Sequence, residues 1–203
     1  MERERYLFIG DSITEWGRFE DEEGLGNNYV RNIRDHLALE KPNQIPEIIN
    51  RGIGGNRVTD LVARWQTDVI ELAPNQLSIS IGINDVWRQI DDSNIDQVMP
   101  EQFEELYRDL IKQTNEKLPN TRIILMEPTV IEEQRDSKGN QLLKPYVEIV
   151  NKLAKEFRLT IVPTHQAFID YLSKVPDCPL TIDGVHMSST GNALMAKTWL
   201  DTI

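Results

Sequence analysis

The chain has a single cysteine, Cys178, among 203 residues, so no disulfide can form within it and a zinc site built on cysteines is excluded. Long apolar runs are also missing. No stretch reaches 18 apolar residues, so no transmembrane helix is expected. The first residues, MERERYLFIG, hold neither an apolar h-region nor a small-residue cleavage site. A signal peptide is therefore not expected, and a cytoplasmic location is the simplest reading. Positive charge is in deficit: 22 Lys and Arg stand against 33 Asp and Glu, a net charge of -11. Such a surface repels phosphate backbones and anionic lipid, so neither nucleic acid nor a membrane is expected as a partner. The acidic run Glu20 to Glu23 reads as a solvated loop. Internal repeats, low-complexity tracts and linker-like composition breaks are absent, as are a G-x-x-x-x-G-K-S/T loop and a G-x-S-x-G elbow.

What is present fits one folded domain over residues 1–203, with 39% hydrophobic and 27% charged residues. Short apolar runs, each closed by a turn signal, predict strands at Tyr6 to Ile9, Ile45 to Ile49, Leu77 to Ile81, Ile123 to Met126 and Leu159 to Val162. Between them apolar residues recur at helical spacing. One such stripe runs from Val58 to Leu72, a second from Phe103 to Leu118 and a third from Leu143 to Phe157. A final helix from Ala193 to Ile203 has Ser188 or Ser189 as its cap. Strand and helix in alternation predict a parallel sheet with helices on both faces. Right-handed crossovers then bring every strand C-terminus to one edge, where such sheets bind ligands.

Polar and glycine-rich clusters follow those strands: Gly10-Asp11-Ser12, Gly54-Gly55-Asn56 and Gly82-Ile83-Asn84-Asp85, with Asp183-Gly184-Val185-His186 just before the last helix. Together they contain the parts acyl transfer requires. A serine hydroxyl attacks only as a base removes its proton, and an imidazole, with an ordinary pKa near neutrality, suits that task. A carboxylate must fix the imidazole tautomer. Asp183 stands three residues before His186, a spacing that lets both side chains meet within one turn. Ser12 is then the candidate nucleophile, His186 its base and Asp183 the orienting acid. The oxyanion of the tetrahedral intermediate needs preorganised donors. The Ser12 N–H, the Gly55 N–H and the Asn84 amide are candidates, with Gly54 an alternative to Gly55.

The blocks FIGDSIT, GIGGNRV, GIND and DGVH resemble, in order and spacing, the motif blocks of the SGNH hydrolases, also called GDSL esterases and lipases. The resemblance runs from Phe8 to His186. It implies Ser12 as nucleophile and oxyanion donor, Gly55 and Asn84 as further donors, and His186 as base with Asp183 behind it. It also implies a three-layer α/β/α sandwich with a flavodoxin-like five-stranded parallel sheet, and neither metal nor cofactor. NRGIGGNRVTDLVARW and IGINDVWRQ are similar to segments of small bacterial acetylxylan and carbohydrate esterases. That finer likeness implies a small ester substrate, an acylated sugar, and removal of acetyl or other short acyl groups.

Other residues carry weaker signals. Trp16 and Trp87 lie just past two of the blocks and are candidate platforms for a sugar ring, with ordinary packing as the competing reading. Arg88 and Arg57 are candidate contacts for an acidic substituent, against a solvated surface role. His36 falls in a surface helix and His165 at a helix start, so neither is expected to act in catalysis. Cys178 has no partner pattern of its own. Asp11 and Asp85 are expected to brace loops by hydrogen bonding. Two rival functions stand beside the short-chain esterase: a lysophospholipase or thioesterase for longer chains, disfavoured by the lack of an apolar lid segment, and a non-catalytic flavodoxin-like binding module, which leaves Asp183 and His186 unexplained. A homo-oligomer is compatible with the sequence.

Overall fold

The computed structural model describes residues 3–92, 94–175 and 177–203. Its centre is β1 (Arg5–Gly10) and β3 (Gln76–Ser80), whose residues are nearly all buried. The run LFI in β1 is apolar without a break, as a strand covered on both faces requires, whereas β3 alternates apolar residues with the buried polar Gln76, Ser78 and Ser80. With β2 (Glu47–Gly52), β4 (Arg122–Met126) and β5 (Thr160–Val162) they form a five-stranded sheet in the order β2-β1-β3-β4-β5, every pair parallel. Helices cover both faces, giving the expected α/β/α sandwich.

On one face α2 (Tyr29–Glu40) packs on α8 (Ser189–Thr202), with α7 (Thr164–Lys174) beside α8. Phe8 reaches into this layer, its ring 6.0 Å from Tyr29 and 5.5 Å from Trp199. Leu7 and Ile9, one residue either side, point to the opposite face, as the pleat requires. There α3 (Val58–Trp65) packs on α5 (Pro100–Lys117), α5 on α6 (Lys138–Phe157), and α6 on α4 (Ile83–Asp91). Buried polar atoms in both layers find partners across elements: Trp199 Nε1 donates to Ser78 Oγ at 3.0 Å, and Trp65 Nε1 to Thr114 Oγ1 at 3.1 Å. No helix among the described residues is long and apolar enough to cross a membrane.

The sequence of connections reverses direction at β1, which has β2 on one side and β3 on the other. In open parallel sheets this switch point opens a crevice beyond the strand C-termini. The segments leaving β1 and β3 there carry Ser12 and Asn84.

Several boundaries differ from those expected. The second strand runs over Glu47–Gly52 rather than Ile45 to Ile49. Pro46 cannot donate to a ladder and so precedes the strand. The strand continues through Asn50, past the end of the predicted run, because the Asn50 amide is spent inside the molecule on the carbonyls of Thr14 and Leu25. The stripe from Val58 to Leu72 is an α-helix only to Trp65. It continues as a π-helical turn, Gln66–Ile70, closed by Glu71 N–H on the Gln66 carbonyl at 2.9 Å, and this wider turn keeps Val69 buried. Helix α6 starts at Lys138, upstream of its predicted stripe and of its internal Pro145, because Ser137 Oγ caps Asn140 N–H at 3.0 Å.

Gly10 ends β1 opposite Ser80, where the chain leaves the sheet in a tight turn. A β-carbon there would lie 2.3 Å from the Ser80 carbonyl and 2.5 Å from Thr14 Oγ1. Gly10→Ala is expected to destabilise the fold by about 1–3 kcal/mol, the usual cost of overpacking. Denaturant unfolding checks this, and an unchanged midpoint would contradict it.

Candidate active site

Ser12 opens α1 (Ser12–Glu15), a single helical turn directly behind β1. Asp11 caps it, accepting from Ile13 N–H at 3.0 Å, and Glu15 and Trp16 N–H close it on the carbonyls of Asp11 and Ser12. The turn presents the Ser12 hydroxyl at the sheet edge.

From the far end of the chain, Thr181 and Met187 form an antiparallel bridge that holds a tight loop. Ile182 N–H bonds the His186 carbonyl at 2.8 Å, and Gly184 takes the left-handed φ of +93° that the turn demands. The loop is tethered to the segment after β4: Glu133 accepts from Thr181 N–H and Oγ1 at 2.7 and 2.8 Å, and Glu132 N–H donates to the Gly184 carbonyl at 2.7 Å. Asp183 uses its two oxygens differently. Oδ1 accepts from the N–H groups of Val185 and His186 at 3.0 and 2.8 Å, while Oδ2 meets His186 Nδ1 at 2.6 Å. Burial works against this carboxylate, but the His186 ring and the two N–H groups outweigh it and hold its pKa below the ordinary value. An ionised Asp183 only accepts hydrogen bonds, so the ring proton belongs on Nδ1. His186 Nε2 is then an acceptor, and it lies 3.0 Å from Ser12 Oγ. The three expected side chains thus meet in one hydrogen-bonded chain that can carry a proton from hydroxyl to imidazole.

The expected oxyanion donors come from neighbouring strand ends. Asn84 sits buried in the first turn of α4. Its Nδ2 donates to the Asn56 carbonyl at 3.1 Å, which orients the amide and leaves a second N–H. Gly54 and Gly55 form a turn closed by Asn56 N–H on Ile53 at 3.2 Å. Gly55 has φ +77° and open space where a β-carbon would be, whereas the Gly54 β-position faces Ser12 Cβ at 3.9 Å.

Trp16 lies on the imidazole of His186, ring centroids 4.8 Å apart. Trp87 is half-buried against the core, which favours its packing role. The Arg88 guanidinium is ion-paired with Asp91 at 2.5 Å, and Arg57 Nη1 donates to the Asp96 carbonyl at 2.7 Å. His36 is exposed on α2. His165 bonds the Thr129 carbonyl in the first turn of α7. Cys178 Sγ lies 4.0 Å from Thr190 Oγ1, away from Ser12 and His186 in the hydrogen-bond pattern. Among the described residues no group of three or more His, Cys, Asp or Glu is placed to hold a metal ion.

Asp11 and Asp85 brace loops as expected, and both are buried. Asp85 accepts from Val58 N–H at 3.1 Å and so caps α3 from another element. Burial pushes the Asp11 pKa up to about 6 against the pull of Ile13 N–H and His186. It pushes Asp85 up to about 7, with the Asp11 charge adding to the rise and Val58 N–H opposing it.

A set of supporting residues escaped the sequence reading. Asn28 Nδ2 donates to the carbonyls of Thr14 (2.9 Å), Leu25 (3.0 Å) and Trp16 (3.2 Å), and Asn50 Nδ2 to those of Thr14 (2.6 Å) and Leu25 (2.8 Å). Arg64 donates to the carbonyls of Gly10 and Arg51 and to Asn56 Oδ1, tying the loops after β1 and β2 together. Only Asn28 carried a local signal, as an Asn ahead of a helix.

Residues 8–194 match the model of the GDSL-like lipase/acylhydrolase family. The chain is 37% identical over 207 residues to an acetylxylan esterase of Geobacillus stearothermophilus, spanning 98% of this chain and 94% of that protein. The crystal structure of Axe2, an acetylxylan esterase from the same organism, superposes with a TM-score of 0.90 at 36% identity, covering 98% of this chain and 93% of that one. LAE5, an α/β hydrolase enzyme from the metagenome of Lake Arreo in Spain, superposes with a TM-score of 0.90 at 31% identity over 98% and 94% of the two chains. Variants of Axe2 with alanine in place of a serine, an aspartate and a histidine are described as catalytic mutants.

Because the Asp85 pKa is raised from 3.8 to about 7 on folding, the native state binds the proton more tightly than the unfolded chain. The contribution of this group to stability is full below about pH 4 and is lost as pH rises to about 7. Asp85→Asn keeps an acceptor for Val58 but cannot ionise. Its melting temperature minus that of the wild type is expected to rise between pH 4 and 7, and a flat difference would contradict the assignment.

Proposed function

The chain belongs to the GDSL-like lipase/acylhydrolase family, and on that premise we propose that it is a serine esterase removing short acyl groups, acetyl foremost, from carbohydrate hydroxyls. The observation that carries this reading is the chain Ser12 Oγ to His186 Nε2 (3.0 Å) and His186 Nδ1 to Asp183 Oδ2 (2.6 Å).

The reaction takes two half-steps. Ser12 Oγ attacks the ester carbonyl while its proton moves to His186 Nε2, and Asp183 stabilises the imidazolium. The oxyanion lies among the N–H groups of Ser12 and Gly55 and the free N–H of Asn84, donors fixed before the charge develops. The sugar alcohol then leaves, taking the proton from His186, and the acyl group remains on Ser12. Water attacks this acyl-enzyme with His186 again as base, and collapse releases the carboxylic acid and restores Ser12.

Two features support a short acyl group on a large alcohol. The dyad is open to solvent, with 27% of the His186 side chain and 50% of the Asp183 side chain exposed, which leaves room for a bulky leaving group. The sequence offers no apolar lid segment to cover a long acyl chain. Relatives described as acetylxylan esterases support the same class of substrate.

A hydrolysis panel of acetylated xylo-oligosaccharides and nitrophenyl esters from acetate to octanoate tests the reading. Acetyl esters are expected to be preferred. Ser12→Ala is expected to lose nearly all activity and Asn84→Ala about 10²–10³-fold in turnover, the usual effect of removing one oxyanion donor. Wild-type turnover in Ser12→Ala would overturn the assignment, and a preference for octanoate would overturn the substrate class.

A further inference from the structure

Trp16 is one of the exposed large apolar residues, 37% accessible, yet its main chain is held at several points. Its N–H bonds the Ser12 carbonyl at 3.0 Å. Its own carbonyl accepts from Asn27 N–H at 2.9 Å and from Asn28 Nδ2 at 3.2 Å. Gly26, at φ +81°, comes so close that a β-carbon on it would lie 2.4 Å from that carbonyl. Gly17, at φ +78°, lets the chain turn away directly behind the ring. A loop of this construction fixes where one indole sits. The indole sits on His186, with ring centroids 4.8 Å apart and planes inclined by 35°.

His186 needs such support. Its hydrogen bond to Asp183 is exposed, so water competes for both partners, and that bond alone leaves the ring free to swing about the axis joining them. A flat aromatic face against the imidazole removes that freedom. When the ring becomes an imidazolium, the indole face also attracts it as a cation over a π-system.

We propose that Trp16 is a positioning residue for His186, holding the imidazole in line with Ser12 through both half-reactions. The inference rests on the esterase reading and adds to it a residue outside the motif triad. It makes a kinetic demand. Acylation and deacylation both use His186, so loss of the indole slows both. KM, which depends on the ratio of the two steps, then changes little while kcat falls.

The test compares wild type, Trp16→Ala, Trp16→Leu and Trp16→Phe on nitrophenyl acetate, with melting temperatures alongside. Trp16→Ala is expected to lower kcat about 10- to 100-fold, the scale of a small misplacement of a catalytic group, with KM within about twofold. Trp16→Phe is expected to recover most of the loss, and Trp16→Leu, which fills space without a ring face, little of it. If Trp16→Ala does not fold, the Phe and Leu variants decide by the same comparison. Unchanged kcat in Trp16→Ala, or in Trp16→Leu should the alanine variant not fold, would overturn the proposal, and so would a raised KM at constant kcat or equal activity of the Phe and Leu variants. A wild-type protein inert toward every ester would instead overturn the esterase reading, and this inference with it.

Discussion

The site depends on one hydrogen bond, between Ser12 Oγ and His186 Nε2, that joins residues 174 positions apart. A single side-chain hydrogen bond contributes about 1 kcal/mol net, far too little to bring the two ends of a chain together. The bond is a consequence of the scaffold. Burial of Phe8, Tyr29 and Trp199 between sheet and helices fixes β1 against α2 and α8, and α8 begins two residues after the loop that carries His186. Hydrophobic packing, with each buried apolar side chain worth about 1.5–3 kcal/mol, therefore sets the distance between the hydroxyl and the imidazole.

Around that bond the molecule breaks ordinary rules of composition. Asp11 and Asp85 are buried carboxylates, and Asn28, Asn50 and Arg64 are polar groups whose hydrogen bonds run to main-chain carbonyls. Each such group loses its hydration on folding, and its hydrogen bonds offset that loss only while the geometry stays intact. Loops closed by these amides are consequently rigid where a purely apolar interior would leave carbonyls unsatisfied. Local rules give way at the sites where chemistry has to be positioned, as expected of a functional edge.

Much of this was legible in the one-dimensional chain. The runs YLFI, LSISI and IILM mark β1, β3 and β4 within about a residue: YLFI and IILM are apolar throughout, as burial on both faces requires, and LSISI alternates apolar residues with small serines. That Ser12, His186 and Asp183 would meet was legible because the chemistry proposed for them restricts residue type as tightly as burial does. The second strand was displaced because Asn50 looks like a turn residue until its amide is seen binding Thr14 and Leu25. Helix α4 was hidden because Asn84-Asp85 has the composition of a turn, and Gly82 at φ +128° starts the helix from a conformation no periodicity reports. Arg64 carried no signal in the sequence, since nothing local says that loops from two other strands end beside it. The tilted stacking of Trp16 against His186 is invisible to any reading that treats the motif blocks separately.

The central claim is that the distant hydroxyl and imidazole act as one unit. A fluorophosphonate reacts with a serine only when a base withdraws its proton. The most direct measurement is its rate of attachment to the wild-type protein and to His186→Ala, with the modified residue located by peptide mass. Rapid labelling at Ser12 that all but disappears in His186→Ala is the predicted result. Labelling at an undiminished rate without His186, or at a residue other than Ser12, would contradict the account.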